Sequence, residues 1–360
     1  MPKICSISTY QAPYTLTQQD AQQLTKELFQ QQMPRLERLL KVFDNGGIAT
    51  RQLCVSPEWH RTPHSFAERN QLYVELATQY SIEVIQQCLK NQEFLVSPIA
   101  PSDIDAIIFV STTGLATPSV DARVMNNLPF SDRLRRIPLW GLGCAGGAAG
   151  ISRAFDFCQA YPTAKVLVVC VELCSLTFQT EDVRKSNIVG ASLFADGAAA
   201  VLICGDKANI ELQCNMPYII HSASKLLPNS EQVMGWDVQN SGLHVIFQKS
   251  IPAIIHSWLP SFITEFLEEQ YLTERDVAHF IAHPGGKKVL EAYQQALCLT
   301  NEQTTIAQKV LQQYGNMSSP TVLYVLEQFM LQNKESNEFG MLVALGPGFC
   351  GEAVLVKWGA

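Results

Sequence analysis

Residues 141–150 read GLGCAGGAAG, and the chemistry of this loop decides how the rest of the chain is interpreted. Its first six letters match the G-x-G-x-x-G fingerprint of dinucleotide-binding loops, and the apolar segment RIPLW at 136–140 is a candidate for the strand before such a loop. Glu172 then stands where an acid often binds ribose, but it follows Gly146 by 26 residues instead of the usual ~20. The arginines within 133–136 also disfavour a buried first strand.

A second interpretation centres on Cys144, which interrupts the fingerprint. A tight turn between a strand and a helix would present its sulfur to the free amides of the helix, which stabilise a thiolate and lower the pKa of a cysteine. Residues 145–150 are all alanine or glycine, so the helix can pack closely and leave room for a substrate. A close-packed buried helix without a catalytic role explains the same pattern, and the loop alone leaves these alternatives open.

The composition limits the classes of protein to which the chain can belong. Its 360 residues are 47% hydrophobic, enough for a large core and roughly two globular units. A net charge of −7 disfavours nucleic acid as a partner, and no apolar stretch or leader indicates a membrane span or export. The cysteines, 11 in number and without a C-x-x-C pair, argue against a disulfide framework and a zinc site. We therefore expect a cytoplasmic protein without a metal.

The spacing of apolar residues predicts an α/β chain. Thr17 and Asp20 have the spacing of a helix N-cap, and a helix is predicted from there to Gly46, interrupted near Pro34. Residues 66–90 form a second helical stretch. Continuous apolar runs of strand length occur at 105–111, 164–172 and 198–205. Buried strands that alternate with helices predict a parallel or mixed sheet covered on both faces.

The second half of the sequence repeats features of the first in the same order. The matching pairs are DIDAIIFVS (103–111) with DVAHFIAH (276–283), and ADGAAAVLICG (195–205) with GFCGEAVLVKW (348–358). Such internal similarity predicts two similar α/β halves. The expected boundary lies near 205–215, which gives an N-terminal half of residues 1–210 and a C-terminal half of residues 211–360.

Two residues of the C-terminal half are candidate partners of the cysteine. His283 ends an apolar run and is followed by Pro-Gly-Gly, so its imidazole is expected at the carboxyl edge of the sheet, where open α/β sheets bind ligands. Asn316 precedes a predicted helix that Ser318 or Ser319 would cap, and a buried amide can stabilise an oxyanion. A hydrogen-bonded core histidine and a turn or capping asparagine are the alternatives without a catalytic role.

Five segments in this order make the chain similar to a known family. They are GCAGG (143–147), FADGAAAVL (194–202), HPGGKKVLEAY (283–293), YGNMSSPTVLYVLE (314–327) and ALGPGFCGEAVLVKW (344–358). Together they resemble the type III polyketide synthases, the chalcone- and stilbene-synthase-like enzymes of the thiolase superfamily, over residues 35–358. The segment MGWDVQNSGLHVIF (234–247) is similar to bacterial members. The resemblance favours the nucleophile interpretation of the loop.

The resemblance implies a thiolase-like fold, in which two similar α/β halves form a five-layered α-β-α-β-α core, and usually a homodimer. It implies that Cys144, His283 and Asn316 are catalytic. In this family the cysteine thiolate takes an acyl group from a starter acyl-CoA. Malonyl-CoA then loses carbon dioxide, and the enolate, held by the histidine and the asparagine, attacks the thioester in repeated Claisen condensations. Neither a metal nor a redox cofactor would be required.

Coenzyme A carries phosphates, which need cations despite the net negative charge of the chain. The basic segment of the family corresponds to residues 34–51, where Arg38 and Lys41 match by position and Arg51 lies nearby. Ordinary solvated helix charges explain these residues equally well, so phosphate binding here is implied by the resemblance alone.

The resemblance also implies a set of residues around the substrate. Phe194 matches a gatekeeper phenylalanine and Val245 replaces a second one, while Thr117 replaces the methionine that plant enzymes insert into the neighbouring subunit. The other implied pocket residues are Thr177, Cys174, Trp236, Gly346, Pro347 and Gly348. These departures from the plant pattern make a chalcone-type product doubtful. We therefore expect a fatty acyl starter and an alkylpyrone or alkylresorcinol product.

Three rival functions remain at this point. A single-round condensing enzyme of the fatty-acid-initiating type shares the cysteine, histidine and asparagine but makes no iterated product. A cysteine thioesterase would use the same nucleophile and histidine and release a free acid without consuming malonyl-CoA. A nicotinamide-binding protein would bind its cofactor without Cys144. A catalytically inactive homologue is disfavoured because all three candidate catalytic positions are intact.

Overall fold

The structure is a computed structural model, and it describes residues 1–332 and 334–359. The strands are β1 (Lys3–Gln11), β2 (Tyr14–Thr17), β3 (Thr50–Leu53), β4 (Ala106–Val110), β5 (Arg135–Leu139), β6 (Lys165–Leu173), β7 (Asp196–Cys204), β8 (Pro217–Leu226), β9 (Met234–Gln239), β10 (Gly242–Phe247), β11 (Val277–Ala282), β12 (Phe339–Gly346) and β13 (Cys350–Trp358). The helices are α1 (Gln18–Phe29), α2 (Leu36–Asp44), α3 (Phe66–Leu89), α4 (Val120–Met125), α5 (Gly146–Ala160), α6 (Lys185–Leu193), α7 (Ile251–Glu268), α8 (Lys287–Ala296), α9 (Asn301–Tyr314) and α10 (Thr321–Met330).

The main sheet consists of two groups of strands with the same order. Strand β4 pairs in parallel with β6, β6 pairs antiparallel with β7, and β7 pairs antiparallel with β1. In the second group, β11 pairs in parallel with β12, β12 pairs antiparallel with β13, and β13 pairs antiparallel with β8. The two groups meet at the single register pair Lys3 and Tyr218, between β1 and β8. The pairs of similar segments predicted from the sequence thus occupy equivalent strands.

Helices form three further layers around the two groups of strands. Helix α5 packs on β4, β6 and β7 on one side and on β8, β12 and β13 on the other, and α10 likewise contacts both groups. Helix α3 covers the outer face of the first group, and α7 packs on β8 and β13 of the second. The order of layers is therefore α-β-α-β-α, which confirms the predicted fold class of two similar α/β halves.

The burial of the strands follows from these layers. Every residue of β4 and β7 is buried because both faces of each strand are covered, as their continuous apolar sequences predicted. Strand β5, the predicted RIPLW segment, is at the edge of the sheet, and its arginines Arg135 and Arg136 are exposed. An edge position explains why this strand is not apolar.

The N-terminal helices agree with the predicted start and stop signals. The side chain of Thr17 accepts a hydrogen bond from the amide of Asp20 at the start of α1, as expected for an N-cap. The chain turns near Pro34, and α2 ends two residues before Gly46. Helix α3 matches the predicted 66–90 stretch. Among the described helices, none combines the length and apolar character needed to cross a bilayer.

The small residues of α5 allow its close approach to the first group of strands. A Cβ atom at Gly146 would lie 2.5 Å from Val110 Cγ1, and one at Gly150 would lie 2.5 Å from Val168 Cγ1. Real side chains do not tolerate such contacts, so larger residues would push α5 away from β4 and β6. The turn Gly143–Ala145, which leads into this helix, is therefore held in a fixed position.

Candidate active site

Cys144 lies in a short turn, Gly143–Ala145, that leads directly into α5. Gly143 has φ +47°, in the left-handed region that favours glycine, and a Cβ atom there would lie 2.8 Å from Pro347 Cδ. The side chain of Cys144 is 8% exposed and lines a small cavity, which we name the Cys144 cavity. The predicted tight turn that carries the cysteine into a helix is present.

The structure brings Asn316 to this cysteine from the other half of the chain. The Sγ atom of Cys144 lies 3.9 Å from Asn316 Oδ1 and 4.0 Å from Asn316 Nδ2. The amide group is oriented at both ends, because Nδ2 donates to the carbonyl of Gly285 at 3.0 Å and Oδ1 accepts from the amide of Ser318 at 2.8 Å. Residues 172 positions apart in sequence therefore share one buried corner.

His283 lies at the carboxyl end of β11, where the sequence placed it. Its amide donates to the carbonyl of Val343 at 2.8 Å, which continues the pairing of β11 with β12. The ring is 2% exposed, and neither of its nitrogens has a hydrogen-bond partner among residues 1–332 and 334–359. Gly285, two residues further on, is the residue that accepts the hydrogen bond from Asn316. Buried nitrogens without a hydrogen-bond partner are unusual. Because the ring of His283 has none among the described residues, its nitrogens are free to exchange a proton with a bound molecule.

The segment before α10 differs from the prediction in its capping. Helix α10 begins at Thr321 without a capping hydrogen bond from a side chain of the preceding residue, so the prediction that Ser318 or Ser319 caps it is wrong. Instead, Ser318 adopts φ +60° and lines the Cys144 cavity, while the hydroxyl of Ser319 donates to Glu172 Oε1 at 2.8 Å. Ser318 therefore forms part of the cavity wall and Ser319 binds a buried carboxylate, and neither side chain caps the helix.

The electrostatic state of Cys144 also differs from the prediction. We expected the helix N-terminus to lower the pKa of the thiol, but burial raises it to about 11, and a hydrogen bond from Ser318 only partly opposes this effect. Burial also lowers the pKa of His283 to about 3. Desolvation outweighs the helix amides because the sulfur is almost fully enclosed. At neutral pH the resting site therefore holds a neutral thiol and a neutral imidazole.

Glu172 is a structural residue behind the cysteine and not a ligand for ribose. Its buried carboxylate accepts hydrogen bonds from the amide and hydroxyl of Thr112, the hydroxyl of Thr113 and the hydroxyl of Ser319, all between 2.8 and 2.9 Å. Burial raises its pKa to about 7 against the effect of these donors. A carboxylate enclosed in this way cannot reach a cofactor, so the structure argues against the dinucleotide interpretation of the loop.

Most predicted pocket residues line one of two neighbouring cavities. A second cavity lies against α1 and α6, and we name it the side cavity. Three residues line both cavities and separate them: Cys174, Phe194 and Val245. Trp236 and Pro347 line only the Cys144 cavity, and Thr177 lines only the side cavity.

The remaining predicted pocket residues lie outside the two cavities. Gly346 packs against the turn that carries Cys144, and Gly348 adopts φ +126° beside Leu226, so both shape the wall through the backbone. Thr117 is exposed on the surface of this chain and lines neither cavity. Its predicted role depends on a neighbouring subunit and stays a prediction. Sequence reasoning missed Thr112 and Ser318 as lining residues, because their positions depend on the backbone path.

The predicted phosphate-binding residues divide into two groups. Arg38 and Lys41 are exposed on α2, and neither forms an ion pair within the described part of the chain. Arg51 is 1% exposed, and its guanidinium donates to the carbonyls of Ala191, Ser192 and Phe194. The structure therefore argues against the prediction that Arg51 binds a CoA phosphate. Its charge is used inside the protein, at the carboxyl end of α6, where free carbonyls attract a cation.

The described residues contain no group of three or more histidine, cysteine or acidic side chains in a metal-binding arrangement. The cysteines are free thiols, nine of them buried. The structure brings together the thiol of Cys144 and the carboxamide of Asn316, and the buried imidazole of His283 lies two residues from Gly285, which Asn316 contacts.

Comparisons with known proteins agree with this arrangement. Models of the chalcone and stilbene synthases match residues 52–207 (N-terminal domain) and 218–358 (C-terminal domain). The chain is 46% identical to a chalcone synthase-like protein of Bacillus subtilis (strain 168), with 99% of each chain covered. It is 29% identical to the alpha-pyrone synthesis polyketide synthase-like protein Pks18 of Mycobacterium tuberculosis, with 94% of this chain and 87% of that protein covered.

A solved structure extends the comparison to the fold. The chain superposes on the 1,3,6,8-tetrahydroxynaphthalene synthase of Streptomyces coelicolor A3(2), a bacterial type III polyketide synthase, with a TM-score of 0.92. The two sequences are 30% identical, and 99% of each chain is covered. The similarity thus includes both halves of the chain.

The neutral thiol predicts how the reactivity of Cys144 depends on pH. The thiolate fraction of a group with a pKa near 11 rises about tenfold per pH unit below that value. We expect the rate of Cys144 alkylation by iodoacetamide in the ligand-free protein to rise about 100-fold between pH 7 and pH 9. Mass spectrometry of the alkylated peptide measures this rate, with exposed Cys298 as an internal reference. A rate that is constant above pH 6.5 would contradict the burial argument.

The buried position of Arg51 predicts a loss of stability on substitution. Arg51→Met leaves the carbonyls of Ala191 and Phe194 without this donor, and that of Ser192 with only the donor from Gln18, and it should lower the free energy of unfolding by about 2–4 kcal/mol. Urea denaturation monitored by circular dichroism measures this change. Arg38→Met, the matched control on the exposed face of α2, should change it by less than about 0.5 kcal/mol. Equal stability of the two variants would be inconsistent with the observed hydrogen bonds.

Proposed function

The chain belongs to the chalcone and stilbene synthase family and is a type III polyketide synthase, and from this premise we propose that it extends a fatty acyl-CoA starter with malonyl-CoA and cyclises the product to an alkylpyrone or an alkylresorcinol. The observation that carries the proposal is the contact between the buried Cys144 and Asn316 beside a cavity that shares a wall with a second, mostly apolar one. His283 completes the proposed catalytic set.

In the proposed loading step, Cys144 attacks the carbonyl carbon of the starter thioester. The thiol proton passes to His283, whose nitrogens have no partner among the described residues. The C–S bond to coenzyme A then breaks, and the leaving thiolate takes the proton from the imidazole. Because both groups are neutral at rest, the ion pair forms only when a substrate is bound, which protects the thiol between turnovers.

In the proposed extension step, the malonyl thioester carbonyl binds near Asn316 and His283. Its C–C bond to the carboxylate breaks, carbon dioxide leaves, and the electron pair forms an enolate whose oxygen accepts hydrogen bonds from the two side chains. The carbanion attacks the acyl group on Cys144, and the cysteine thiolate is released. The fixed orientation of Asn316, which is bonded at both ends of its amide, supports this role because a preorganised donor need not reorient during the reaction.

The shape of the site supports a long, apolar starter. Val245 and Phe194 stand between the Cys144 cavity and the side cavity, which has a mostly apolar lining that includes Leu16, Leu24 and Leu53. A valine fills less of this junction than an aromatic residue, so an acyl chain on Cys144 can extend into the side cavity. The similarity to Pks18, whose name refers to alpha-pyrone synthesis, supports the same product class.

Binding of the coenzyme and assembly remain parts of the proposal. The exposed cations Arg38 and Lys41 are three residues apart on α2 and share a face, as phosphate contacts would require. A homodimer is proposed from the family and would give exposed Thr117 a neighbour. The free cysteines support a reducing compartment such as the cytoplasm.

The first test of the proposal is the identity of the products. Purified protein is incubated with malonyl-CoA and acyl-CoA starters from short to long, and products are identified by mass spectrometry beside a Cys144→Ala control. We expect pyrones or resorcinols from long starters, and at least a 10³-fold loss in Cys144→Ala because the covalent intermediate cannot form.

Other outcomes would each contradict a defined part of the proposal. A single condensation product would indicate a fatty-acid-initiating enzyme, and free acid with malonyl-CoA unconsumed would indicate a thioesterase. Tetrahydroxynaphthalene formed from malonyl-CoA alone would retain the enzyme class and exclude the fatty acyl starter.

The junction between the cavities predicts how the starter is selected. Val245→Phe should block passage into the side cavity and remove the burial of several methylene groups, each worth about 0.8 kcal/mol. We expect the ratio of kcat/KM for long over short starters to fall about 100-fold, because about three to four methylenes lose their site. Val238→Phe is the matched control on the same hairpin, since Val238 is 59% exposed. Unchanged chain-length selectivity in Val245→Phe would exclude this path for the acyl chain.

A further inference from the structure

Three side chains near the turn between β9 and β10 form a chain of hydrogen bonds that the polyketide chemistry does not use. The hydroxyl oxygen of Ser241 lies 2.7 Å from Nε2 of His244, and Nδ1 of His244 lies 3.0 Å from Oδ2 of Asp182. Ser241 is exposed, whereas the side chains of His244 and Asp182 are only 8% and 7% exposed. A buried acid and base are thus aligned behind one accessible hydroxyl.

The order of atoms is the one found in serine hydrolases. An aspartate at Nδ1 holds the proton on that nitrogen, which leaves the lone pair of Nε2 to accept the hydroxyl proton. Burial opposes the ionisation of Asp182, but hydrogen bonds from Arg184 and His244 outweigh it and lower the pKa of this carboxyl below its ordinary value. The carboxylate is therefore available to stabilise a charged imidazole.

These residues line a cleft that is separate from the Cys144 cavity. The cleft has a volume of about 600 Å³, and Ser241, His244 and Asp182 are all on its wall. Trp59, Phe66 and Phe178 contribute aromatic surface to the same cleft. No residue is shared between the linings of this cleft and the Cys144 cavity. The cleft shares His60 and Phe178 with the side cavity, but Ser241 is on its wall and Cys144 is not.

The turn itself contains two backbone amides that are free to donate. Asn240 and Ser241 are the two residues between the paired ends Gln239 and Gly242, and within the described chain their amides have no hydrogen-bond acceptor. In serine hydrolases the amide of the nucleophile itself is one of the donors to the oxyanion. Arg69, which is buried at the cleft wall, donates to the carbonyl of Ser241 and fixes the backbone of the turn.

We propose that Ser241, His244 and Asp182 form a second, hydrolytic site that cleaves carboxylic esters and thioesters. Ser241 Oγ bonds to the acyl carbon while its proton passes to His244 Nε2, and the bond to the leaving alkoxide or thiolate breaks as that group takes the proton. Water then attacks the acyl-serine, His244 takes a proton from the water, and Ser241 Oγ recovers a proton as the free acid leaves.

The test uses full-length protein that carries Cys144→Ala, so that thiol chemistry is removed. Hydrolysis of p-nitrophenyl butyrate and of butyryl-CoA is measured without malonyl-CoA, in this background and with Ser241→Ala, His244→Ala or Asp182→Asn added. A fluorophosphonate probe, followed by peptide mass spectrometry, reports covalent labelling. Ser257→Ala, a substitution of another exposed serine, is the matched control. Thermal melting of each variant checks its folding.

We expect hydrolysis of at least one substrate, a loss of about 100-fold with Ser241→Ala and with His244→Ala, and probe labelling on the peptide that contains Ser241. The two substrates show whether the site prefers oxygen esters or thioesters. The inference is overturned if Ser241→Ala hydrolyses both substrates at the rate of its parent, or if the probe does not label Ser241. A lower melting temperature with unchanged hydrolysis would show that the three residues only fasten the hairpin. Because no polyketide is formed in these assays, the outcome does not depend on the proposed synthase function.

Discussion

The contact between α5 and the two groups of strands is the constraint on which the rest of the site depends. The helix can sit this close because Gly146 and Gly150 present no side chain to Val110 and Val168. Its N-terminal end then places Cys144 at the level where segments of the other half arrive. Asn316 and the glycine loop near Pro347 can contact the cysteine turn only because the packing of α5 fixes its position.

Much of the fold was predictable from the sequence because the signals are local and repeated. Apolar runs identified β4, β6 and β7, and the cap at Thr17 marked the start of α1. The similar segments in the two halves predicted equivalent strands, since a strand that is buried on both faces must be apolar along its whole length. The cysteine turn was also indicated by a local signal, because a helix that packs this tightly requires small residues after Cys144.

The parts that could not be predicted depend on the environment that each side chain meets after folding. Arg51 has the sequence context of a surface cation, but the end of α6 arrives over it and supplies three carbonyls. A helix N-terminus argues for an acidic thiol at Cys144, but the degree of enclosure reverses the direction of the pKa shift. Ser318 resembles a helix cap until its left-handed backbone turns it toward the cavity. In each case the spacing of residues along the chain does not indicate which groups surround the side chain in the folded protein.

The hairpin of β9 and β10 is paired only with itself and stands outside the main sheet. One of its strands contributes Trp236 to the Cys144 cavity and the other contributes Val245 to the wall between the cavities. The framework that holds the thiol contains no strand of this hairpin. Relatives can therefore differ in this segment, and so in the molecules that they make, without a change in the strands that hold Cys144. Laboratory recombination among relatives would place its crossover points on either side of residues 234–247.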